Sequence, residues 1–377
     1  MLTNIPEIIS LSLFICFILI TLIQLIYYWF LFSRLAFFNP NKEVSVETPP
    51  ISVIICAKNE YDNLERNLPF FLEQNYPKYE ILVVNDNSDD ETTYLLKEFA
   101  DKYNHFKYVS ITGFSNYALG KKFPLAIGIK SAQYDTLLLT DADCIPASNN
   151  WISSMQKAYT TSKTEIVLGY GAYKKRPGFL NKLIRYDAFF IGLQYLSFSL
   201  AGFPYMGIGR NLSYKKDLFF KNKGFSPHYN VMSGDDDLFI NRVAKKENVS
   251  IQIEYDSHTY SEPKPSFYSW VLQKRRHFST SYHYKFFHRV LLGLLGLSSL
   301  IFYMLLLILL LINFQTTFLI IIFGAKFISQ TVVFYLTMNK LNEKDLFWYF
   351  IVFDLFMIFI NPVILISGLL FKKNKWK

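Results

Sequence analysis

Residues 135–143 read DTLLLTDAD, a short apolar run that ends in two aspartates separated by a single alanine. A continuous apolar run of this length, bounded by polar residues, is typical of a strand buried on both faces of a parallel sheet. Ligands of such sheets bind beyond the carboxyl ends of the strands. Asp141 and Asp143 are therefore the first candidates for a functional site.

The neighbouring segments alternate between strand-like and helix-like patterns. ISVIICA (51–57) and EILVVND (80–86) are short and apolar, whereas NLERNLPFFLEQ (63–74) and TTYLLKEFADKY (92–103) have the spacing of amphipathic helices. This alternation predicts an α/β domain with a mostly parallel, Rossmann-like sheet, which we assign to residues 50–285.

Two other predicted strands also end in polar residues. Lys58-Asn59-Glu60 follows the first strand, and Asn85-Asp86-Asn87-Ser88 ends the second. Each group by itself could be a helix cap or a turn. Because the carboxyl ends of parallel strands meet at one edge of a sheet, three polar ends together predict a single site there.

The Asp141 and Asp143 carboxylates repel each other unless a cation lies between them. Mg²⁺ or Mn²⁺ suits such a pair, because these ions bind oxygen ligands and Mg²⁺ is commonly shared between carboxylates and substrate phosphates. Lys121 and Lys122 lie about one crossover helix upstream. They could meet the same phosphates or be solvated lysines at the end of a helix.

Apolar segments flank the α/β region. Of 377 residues, 51% are hydrophobic and 18% are charged, which is more apolar than an ordinary soluble domain. Residues 8–33 carry no charge and are numerous enough to cross a bilayer. We assign residues 1–35 to an N-terminal transmembrane helix, 36–49 to a linker, and 286–377 to a C-terminal membrane region of two to three spans.

More positive charge follows the first span than precedes it, which predicts a multi-pass protein of the inner (plasma) membrane with a cytoplasmic α/β domain. Three C-terminal spans would place the basic residues 372–377 outside, against this rule. We therefore favour a re-entrant hairpin bent at Pro362 for the last segment. The uncharged segment 189–208 is expected to be a helix and loop that is interfacial or buried rather than spanning.

Two charged residues, Lys326 and Asp354, lie inside predicted spans. They either face a polar interior or serve only to pair helices. The net charge of +9 favours anionic membrane lipids or an anionic substrate as partners. No RNA-reading motif is present, so no nucleic-acid partner is expected.

Six elements in order resemble the motifs of membrane-anchored bacterial family 2 glycosyltransferases, which have the GT-A fold. The matching elements are ISVIICAKNE (51–60), VVNDNSDD (83–90), Gly120-Lys121, Asp141-Ala142-Asp143, SGDDD (233–237) and QKRRH (273–277). Cys56 stands where the family usually has proline, Asn85 replaces an acid, and His277 replaces a tryptophan. That tryptophan is typical of processive polymerases, so the number of sugars added stays open.

The resemblance implies roles for particular residues. The nucleotide-sugar set is Ala57, Glu60, Asp86, Lys121 and Asp141. The metal, Mg²⁺ or Mn²⁺, would be bound by Asp143 with Asp141, and the general base would be Asp236, or else Asp235. The set near the acceptor and the diphosphate is Arg210, Asn211, Gln273 and Arg276, of which the first two belong to a loop, GIGRNLSYKKDLF (207–219), that resembles the family's acceptor-side loop.

The expected reaction is an inverting transfer of a sugar from a nucleotide-diphosphate donor to a hydroxyl group of a lipid-linked or glycan acceptor. Such a transfer needs a stabilised diphosphate leaving group and a carboxylate that takes the hydroxyl proton. Two alternatives remain. One is a phosphatase of the haloacid dehalogenase type with Asp141 as nucleophile, although Cys144 stands where that family has threonine or valine. The other is a catalytically inactive membrane scaffold or transporter.

Overall fold

A seven-stranded sheet forms the centre of the α/β region in this computed structural model, which describes residues 5–40, 48–113 and 120–370. Its strands, in spatial order, are β3 (Phe106–Ile111), β2 (Tyr79–Asp86), β1 (Ile51–Ala57), β4 (Thr136–Asp141), β8 (Leu212–Lys215), β6 (Ile166–Gly169) and β9 (Val249–Gln252). The first four run parallel, and β8 is antiparallel to both of its neighbours. The predicted mostly parallel sheet is confirmed.

A second, three-stranded sheet packs beside the first. It contains β5 (Cys144–Pro146), β10 (Thr259–Ser261) and β7 (Gly171–Tyr173). Because β5 begins three residues after β4 ends, this small sheet fixes the chain on the far side of Asp141 and Asp143.

The helices of the α/β region connect these strands. They are α3 (Tyr61–Leu72), α4 (Thr92–Lys102), α5 (Lys122–Ser131), α6 (Trp151–Lys157), α7 (Phe179–Leu200), α8 (Lys216–Lys221), α9 (Asp237–Val243) and α10 (Phe267–Ser281). Alternate residues of β1 join different cores: Val53 and Ile55 pack with the α3 side, and Ile54 packs with the α5 side. The sheet is therefore covered on both faces, as its continuous apolar strands predict.

The membrane helices lie at the two ends of the chain. They are α1 (Ile5–Ile26), which continues through a π-helical stretch (Tyr27–Phe32) into α2 (Ser33–Ala36), and then α11 (Phe286–Leu311), α12 (Thr316–Lys340) and α13 (Phe350–Leu370). Four helical segments among the described residues are long and apolar enough to cross a membrane: Glu7–Ala36, Phe286–Leu311, Thr316–Lys340 and Lys344–Gly368. Residues 41–47 of the assigned linker lie outside the described residues.

The helices α1, α11 and α12 form one bundle. Gln24 donates to the hydroxyl of Ser298 at 2.5 Å, and Trp29 donates to Ser329 at 2.9 Å. Phe17 and Phe302 stack with ring centroids 5.1 Å apart, in a cluster with buried leucines of α11 and α12. Within the described part of the chain, this cluster contains no residue of α13.

The last helix, α13, packs against both the α/β region and α12, where Phe350 lies beside Phe334. Phe356 contacts Phe267 of α10, and Arg275 of α10 donates to the carbonyl of Ser367 at 3.2 Å. The expected hairpin bend at Pro362 is wrong, because one continuous helix runs through this proline. Proline removes one backbone donor, and a helix covered by neighbouring helices tolerates that loss in a membrane protein.

The helix α7 occupies the segment that was expected to be interfacial or buried. Phe189 and Leu193 are fully buried, and an irregular segment follows Leu200. The ring of Phe189 lies 5.6 Å from that of Phe334 in α12. This helix therefore joins the sheet to the membrane helices.

Lys326 of α12 and Asp354 of α13, the two charges in the apolar helices, face inward. Gln330 bridges them: its carbonyl oxygen accepts from Lys326 at 2.6 Å, and its amide donates to Asp354 at 2.9 Å. Tyr186 of α7 also donates to Asp354 at 3.3 Å. These bonds tie α12, α13 and α7 together, which is a helix-pairing role.

Candidate active site

The carboxyl ends of β1, β2 and β4 lie at one edge of the sheet. Cys56 is paired with Asp141, and Ala57 is paired with Asn85 in the strand register. A cavity of about 1090 Å³ opens at this edge. The predicted site residues that line it are Ala57, Glu60, Asp86, Lys121, Asp141, Asp143, Arg210, Asp235, Asp236, Gln273 and Arg276.

Asn211 is the exception among the predicted site residues. Its side chain is fully buried, where its amide donates to the carbonyls of Tyr170 at 2.9 Å and Ser257 at 2.6 Å, and its oxygen accepts from Trp151 at 3.1 Å. These bonds hold the sheet and the following loops together. The Asn211 side chain therefore does not reach the cavity, because its polar atoms are used within the core.

Lys121 and Asp141 form an ion pair at the mouth of the cavity. Burial alone would raise the pKa of Asp141, but Lys121 outweighs it and the pKa lies below its usual value. Burial raises the pKa of Asp143, and the charge of Asp141 raises it further. Arg210 and Lys264 offset only part of this rise, so Asp143 is the carboxylate whose charge the chain compensates less.

The side chains at this point fit a divalent metal ion. The ligand atoms of Asp141, Asp143 and Cys144 lie within 4.8 Å of one another. Burial raises the pKa of the Cys144 thiol far above its usual value, and its sulfur lies 3.0 Å from the hydroxyl of Ser261. A protonated thiol is a poor ligand, so the two carboxylates, with substrate oxygens, make a site for a hard cation such as Mg²⁺ or Mn²⁺.

The three acids 235–237 have different surroundings. Asp237 accepts hydrogen bonds from Thr280 and, at 2.7 Å, from Tyr284, so it fastens α9 to the end of α10 and to the segment that follows it. Asp236 caps α9 by accepting from the Asp237 amide at 2.8 Å. It also accepts from the Gly209 amide at 2.6 Å. Asp236 is therefore fixed in direction while it lines the cavity.

Gly209 makes the close approach to Asp236 possible. A Cβ atom at this position would lie 3.3 Å from the nearer carboxylate oxygen, which is tighter than ordinary contact. Burial raises the pKa of Asp236 to about 8, and the neighbouring Asp235 and Asp237 add to the shift. Such a value suits a residue that exchanges a proton near neutral pH.

Lys122 does not reach the phosphate side of the site. Its ammonium donates to the carbonyls of His228, Val231 and Ser233 at 2.6 to 2.8 Å, and the residue is almost fully buried. It holds the segment that leads into the acids 235–237. Of the two neighbouring lysines, only Lys121 lines the cavity.

The opposite wall of the cavity is basic and aromatic. The Arg210 guanidinium lies 4.4 Å from the centre of the Tyr173 ring and donates to the carbonyl of Gly171 at 3.0 Å. Gln273 donates to the Tyr173 hydroxyl at 3.2 Å.

Sequence reasoning missed the aromatic residues that line the cavity, among them Tyr173 and Trp270. No motif separates them from the many buried aromatic side chains of the core. Their position is decided by β7 and α10, which come together only in the folded chain.

The sequence model of glycosyl transferase family 2 matches residues 52–245, which is more than half of the chain. The chain belongs to glycosyl transferase family 2. The matched range includes Asp141, Asp143 and the acids 235–237. The haloacid-dehalogenase alternative therefore loses its basis, since the motif that suggested it is part of the glycosyltransferase pattern.

Curated members of family 2 match part of the chain. The probable glycosyltransferase YdaM of Bacillus subtilis is 36% identical over 134 residues, which are 33% of this chain and 32% of that protein. Poly-beta-1,6-N-acetyl-D-glucosamine synthase of Staphylococcus epidermidis is 30% identical over 184 residues, 47% of this chain and 42% of that protein. The chain thus matches less than half of the length of either relative.

A solved structure shares the fold over nearly the whole chain. The mannosyltransferase PcManGT from Pyrobaculum calidifontis, in complex with GDP-Man and Mn²⁺, superimposes with a TM-score of 0.60 at 17% identity, covering 97% of this chain and 99% of that one. At this identity the likeness concerns the fold alone, and it agrees with the GT-A architecture and the flanking apolar helices.

Proposed function

We propose that this family 2 chain transfers a sugar, with inversion, from a nucleotide-diphosphate sugar to a hydroxyl group of a lipid-linked or glycan acceptor. The observation that carries the proposal is the position of Asp236. A carboxylate with a raised pKa lies in the same cavity as the Lys121–Asp141 pair and Asp143. A base and a diphosphate site in one cavity are what a direct displacement needs.

Asp236 acts as the general base in this proposal. The two backbone amides that bind its oxygens hold the carboxylate in one orientation, so little reorganisation accompanies proton transfer. The carboxylate takes the proton of the acceptor hydroxyl as that oxygen attacks the sugar carbon opposite the diphosphate. Asp237, which is bound by Thr280 and Tyr284, is not available for this step.

The leaving diphosphate is stabilised by positive charge from the chain. Lys121 lies at the strand end, and Arg210 and Arg276 line the other wall. A divalent metal ion bound by Asp143 and Asp141 would supply further charge neutralisation. The mannosyltransferase complex with Mn²⁺ supports this assignment through its shared fold, and it does not separate Mn²⁺ from Mg²⁺.

The donor class can be tested by thermal unfolding of the full-length protein in detergent. A ligand that binds only the folded state raises the unfolding temperature according to its affinity. We expect at least one nucleotide-diphosphate sugar to raise it more in the presence of Mn²⁺ than in EDTA. No stabilisation by UDP-, GDP-, dTDP-, CDP- or ADP-linked sugars under either condition would overturn the proposed function.

We further propose that the protein lies in the inner membrane with its α/β region in the cytoplasm. In this proposal α1, α11 and α12 cross the bilayer, and α13, which packs along α10 as well as against α12, stays at the cytoplasmic face. Three spans would leave the basic residues 372–377, which lie outside the described residues, on the cytoplasmic side. That agrees with the positive-inside tendency.

This arrangement predicts the behaviour of fusions after residue 377. A green fluorescent protein fused there should be fluorescent, and an alkaline phosphatase fused at the same point should be inactive, since each reports the compartment in which it folds. If the phosphatase fusion is active and the green fluorescent protein fusion does not fluoresce, α13 crosses the membrane.

A further inference from the structure

Lys122 is a buried charged residue that the proposed mechanism does not use. It begins α5, directly after Lys121, and its side chain is only 1% exposed. Its ammonium donates to the carbonyls of His228, Val231 and Ser233 at 2.7, 2.6 and 2.8 Å. Three acceptors at these distances match the three N–H donors of a protonated lysine. Because a buried charge is costly unless its donors are bound, these bonds fix the lysine and the three carbonyls to one another.

The segment bound by Lys122 has no regular structure of its own. Residues 229–236 lie between a 3-10 helix (Ser226–His228) and α9, and they form neither helix nor strand. Backbone groups outside helices and strands take their hydrogen bonds from side chains such as this lysine. Ser233 and Asp236 line the cavity, so the segment forms part of its wall. The hydrogen bonds of Lys122 therefore contribute to the position of the Asp236 carboxylate.

The helix α5 is a rigid support for this lysine. A Cβ atom added at Gly128 would lie 2.8 Å from the Ile54 side chain of β1 and 2.9 Å from the Val84 side chain of β2, so α5 lies directly on the sheet. Lys121, which precedes α5, forms the ion pair with Asp141 at the strand ends. The same end of α5 thus contacts the proposed donor site through one lysine and the segment 229–236 through the next.

We propose that Lys122 is a positioning residue for the transfer reaction, because its three hydrogen bonds hold the segment 229–236 so that the Asp236 carboxylate faces the acceptor hydroxyl. The inference rests on the proposed transferase function and adds a residue to it. Lys122 lies outside the lining of the active-site cavity, so it acts through the backbone that carries the base and contacts neither substrate.

The test removes the ammonium and then returns it. Lys122→Ala deletes the atoms of one propylammonium ion, and water can bind the three carbonyls in the space that is left, so the fold should be retained. Lys122→Gln is a second variant, whose amide has two N–H donors. The matched control is Lys107→Ala, which removes an ammonium bound to Glu80 at 3.0 Å and Gln133 at 2.7 Å, near the other end of α5 and outside the cavity lining.

The rate is measured in inverted inner-membrane vesicles that contain each full-length variant, because such vesicles supply both glycans and lipids as acceptors. Release of nucleoside diphosphate is followed with UDP-, GDP-, dTDP-, CDP- and ADP-linked sugars, and vesicles with Asp236→Asn give the background. We expect Lys122→Ala to lower kcat about 10²-fold, the cost of a catalytic group misplaced by about 1 Å, with the KM for the nucleotide sugar unchanged. Lys122→Gln should lose less, and Lys107→Ala should keep the wild-type kcat.

Added amines separate the hydrogen bonds of Lys122 from its charge. n-Propylammonium replaces the deleted atoms and should restore part of the rate of Lys122→Ala. Tetramethylammonium, a cation without an N–H donor, should restore none at the same concentration. Equal restoration by the two cations would overturn the inference, and so would a raised KM with an unchanged kcat.

Hydrogen exchange tests the same bonds without a substrate. The amides of residues 229–236 in the purified full-length protein should exchange faster in Lys122→Ala than in the wild type or Lys107→Ala, and n-propylammonium should slow them. Unchanged exchange in Lys122→Ala, with a wild-type rate above the Asp236→Asn background, would overturn the positioning role and keep the transferase. A wild-type rate no higher than that background would overturn the proposed function, and the role of Lys122 in transfer with it.

Discussion

Replacing Asp236 with asparagine is expected to lower the rate of sugar transfer by about 10²–10⁴-fold, the usual contribution of a general base. Asparagine has nearly the same shape and is an equally good helix cap, so α9 should still begin at the same residue. Nucleotide-sugar binding, measured by thermal unfolding, should be largely unchanged. The rate is measured as release of the nucleoside diphosphate in the presence of acceptor.

The matched control is Asp235→Asn, which removes the same charge one residue earlier. Asp235→Asn should lower the transfer rate less than Asp236→Asn does, because it is Asp236 whose oxygens are bound by the amides of Gly209 and Asp237. If Asp235→Asn removes activity and Asp236→Asn does not, the base is Asp235 and our assignment within the acid run is wrong.

The same residue predicts a pH dependence. The base acts when it is deprotonated, and its pKa is raised to about 8, so transfer by the wild-type protein should increase as the pH rises towards this value. The shift has the opposite consequence for stability. Because the folded state binds the proton more tightly than the unfolded state, stability is lost as the pH rises from about 4 through 8. Asp236→Asn should remove that loss.

Replacing Asp143 with asparagine is expected to reduce transfer by at least about 10²-fold and to remove its stimulation by Mn²⁺ or Mg²⁺. A neutral amide leaves Asp141 as the only carboxylate of the pair, and Asp141 is already bound to Lys121. The measurement is the rate as a function of added metal after treatment with EDTA.

Cys144→Ala is the control for this prediction, because the thiol is adjacent to Asp143 but stays protonated. The alanine protein should respond to metal as the wild type does. If the Asp143→Asn protein is still fully stimulated by metal, the ion is bound elsewhere. If the Cys144→Ala protein is no longer stimulated by metal, the sulfur of Cys144 is a ligand.

The strand ends could be predicted from sequence because their signals are local. The apolar runs before Ala57, Asp86 and Asp141 indicate buried strands, and parallel strands bring such ends to one edge by geometry alone. The predicted sheet brings these residues together, and the resemblance to the family's motifs then gives each of them an expected role.

Other features could not be predicted because they depend on packing between distant segments. Lys121 and Lys122 are adjacent in sequence, yet Lys121 faces the cavity and Lys122 donates to three backbone carbonyls. This difference follows from the direction in which α5 begins, which the sequence does not reveal. Asn211 lies next to Arg210 in a motif, and its buried partners come from three other segments. Pro362 predicts a bend from the local sequence. The helix nevertheless continues through it, because α10 and the neighbouring helices pack against α13.

The packing of α7 has a consequence for how the protein folds. Arg185 is buried and binds Glu343, in the connection between α12 and α13, at 2.5 Å, and Tyr186 lies against Phe353. The amino-acid composition therefore changes near residue 285, but side-chain contacts join the regions before and after it. A chain that ended at residue 285 would lack Glu343, the ion-pair partner of the buried Arg185. It would also lack Phe353, which packs against Tyr186. We therefore expect the α/β region and the membrane helices to fold as one unit, so that insertion into the bilayer helps to assemble the candidate active site.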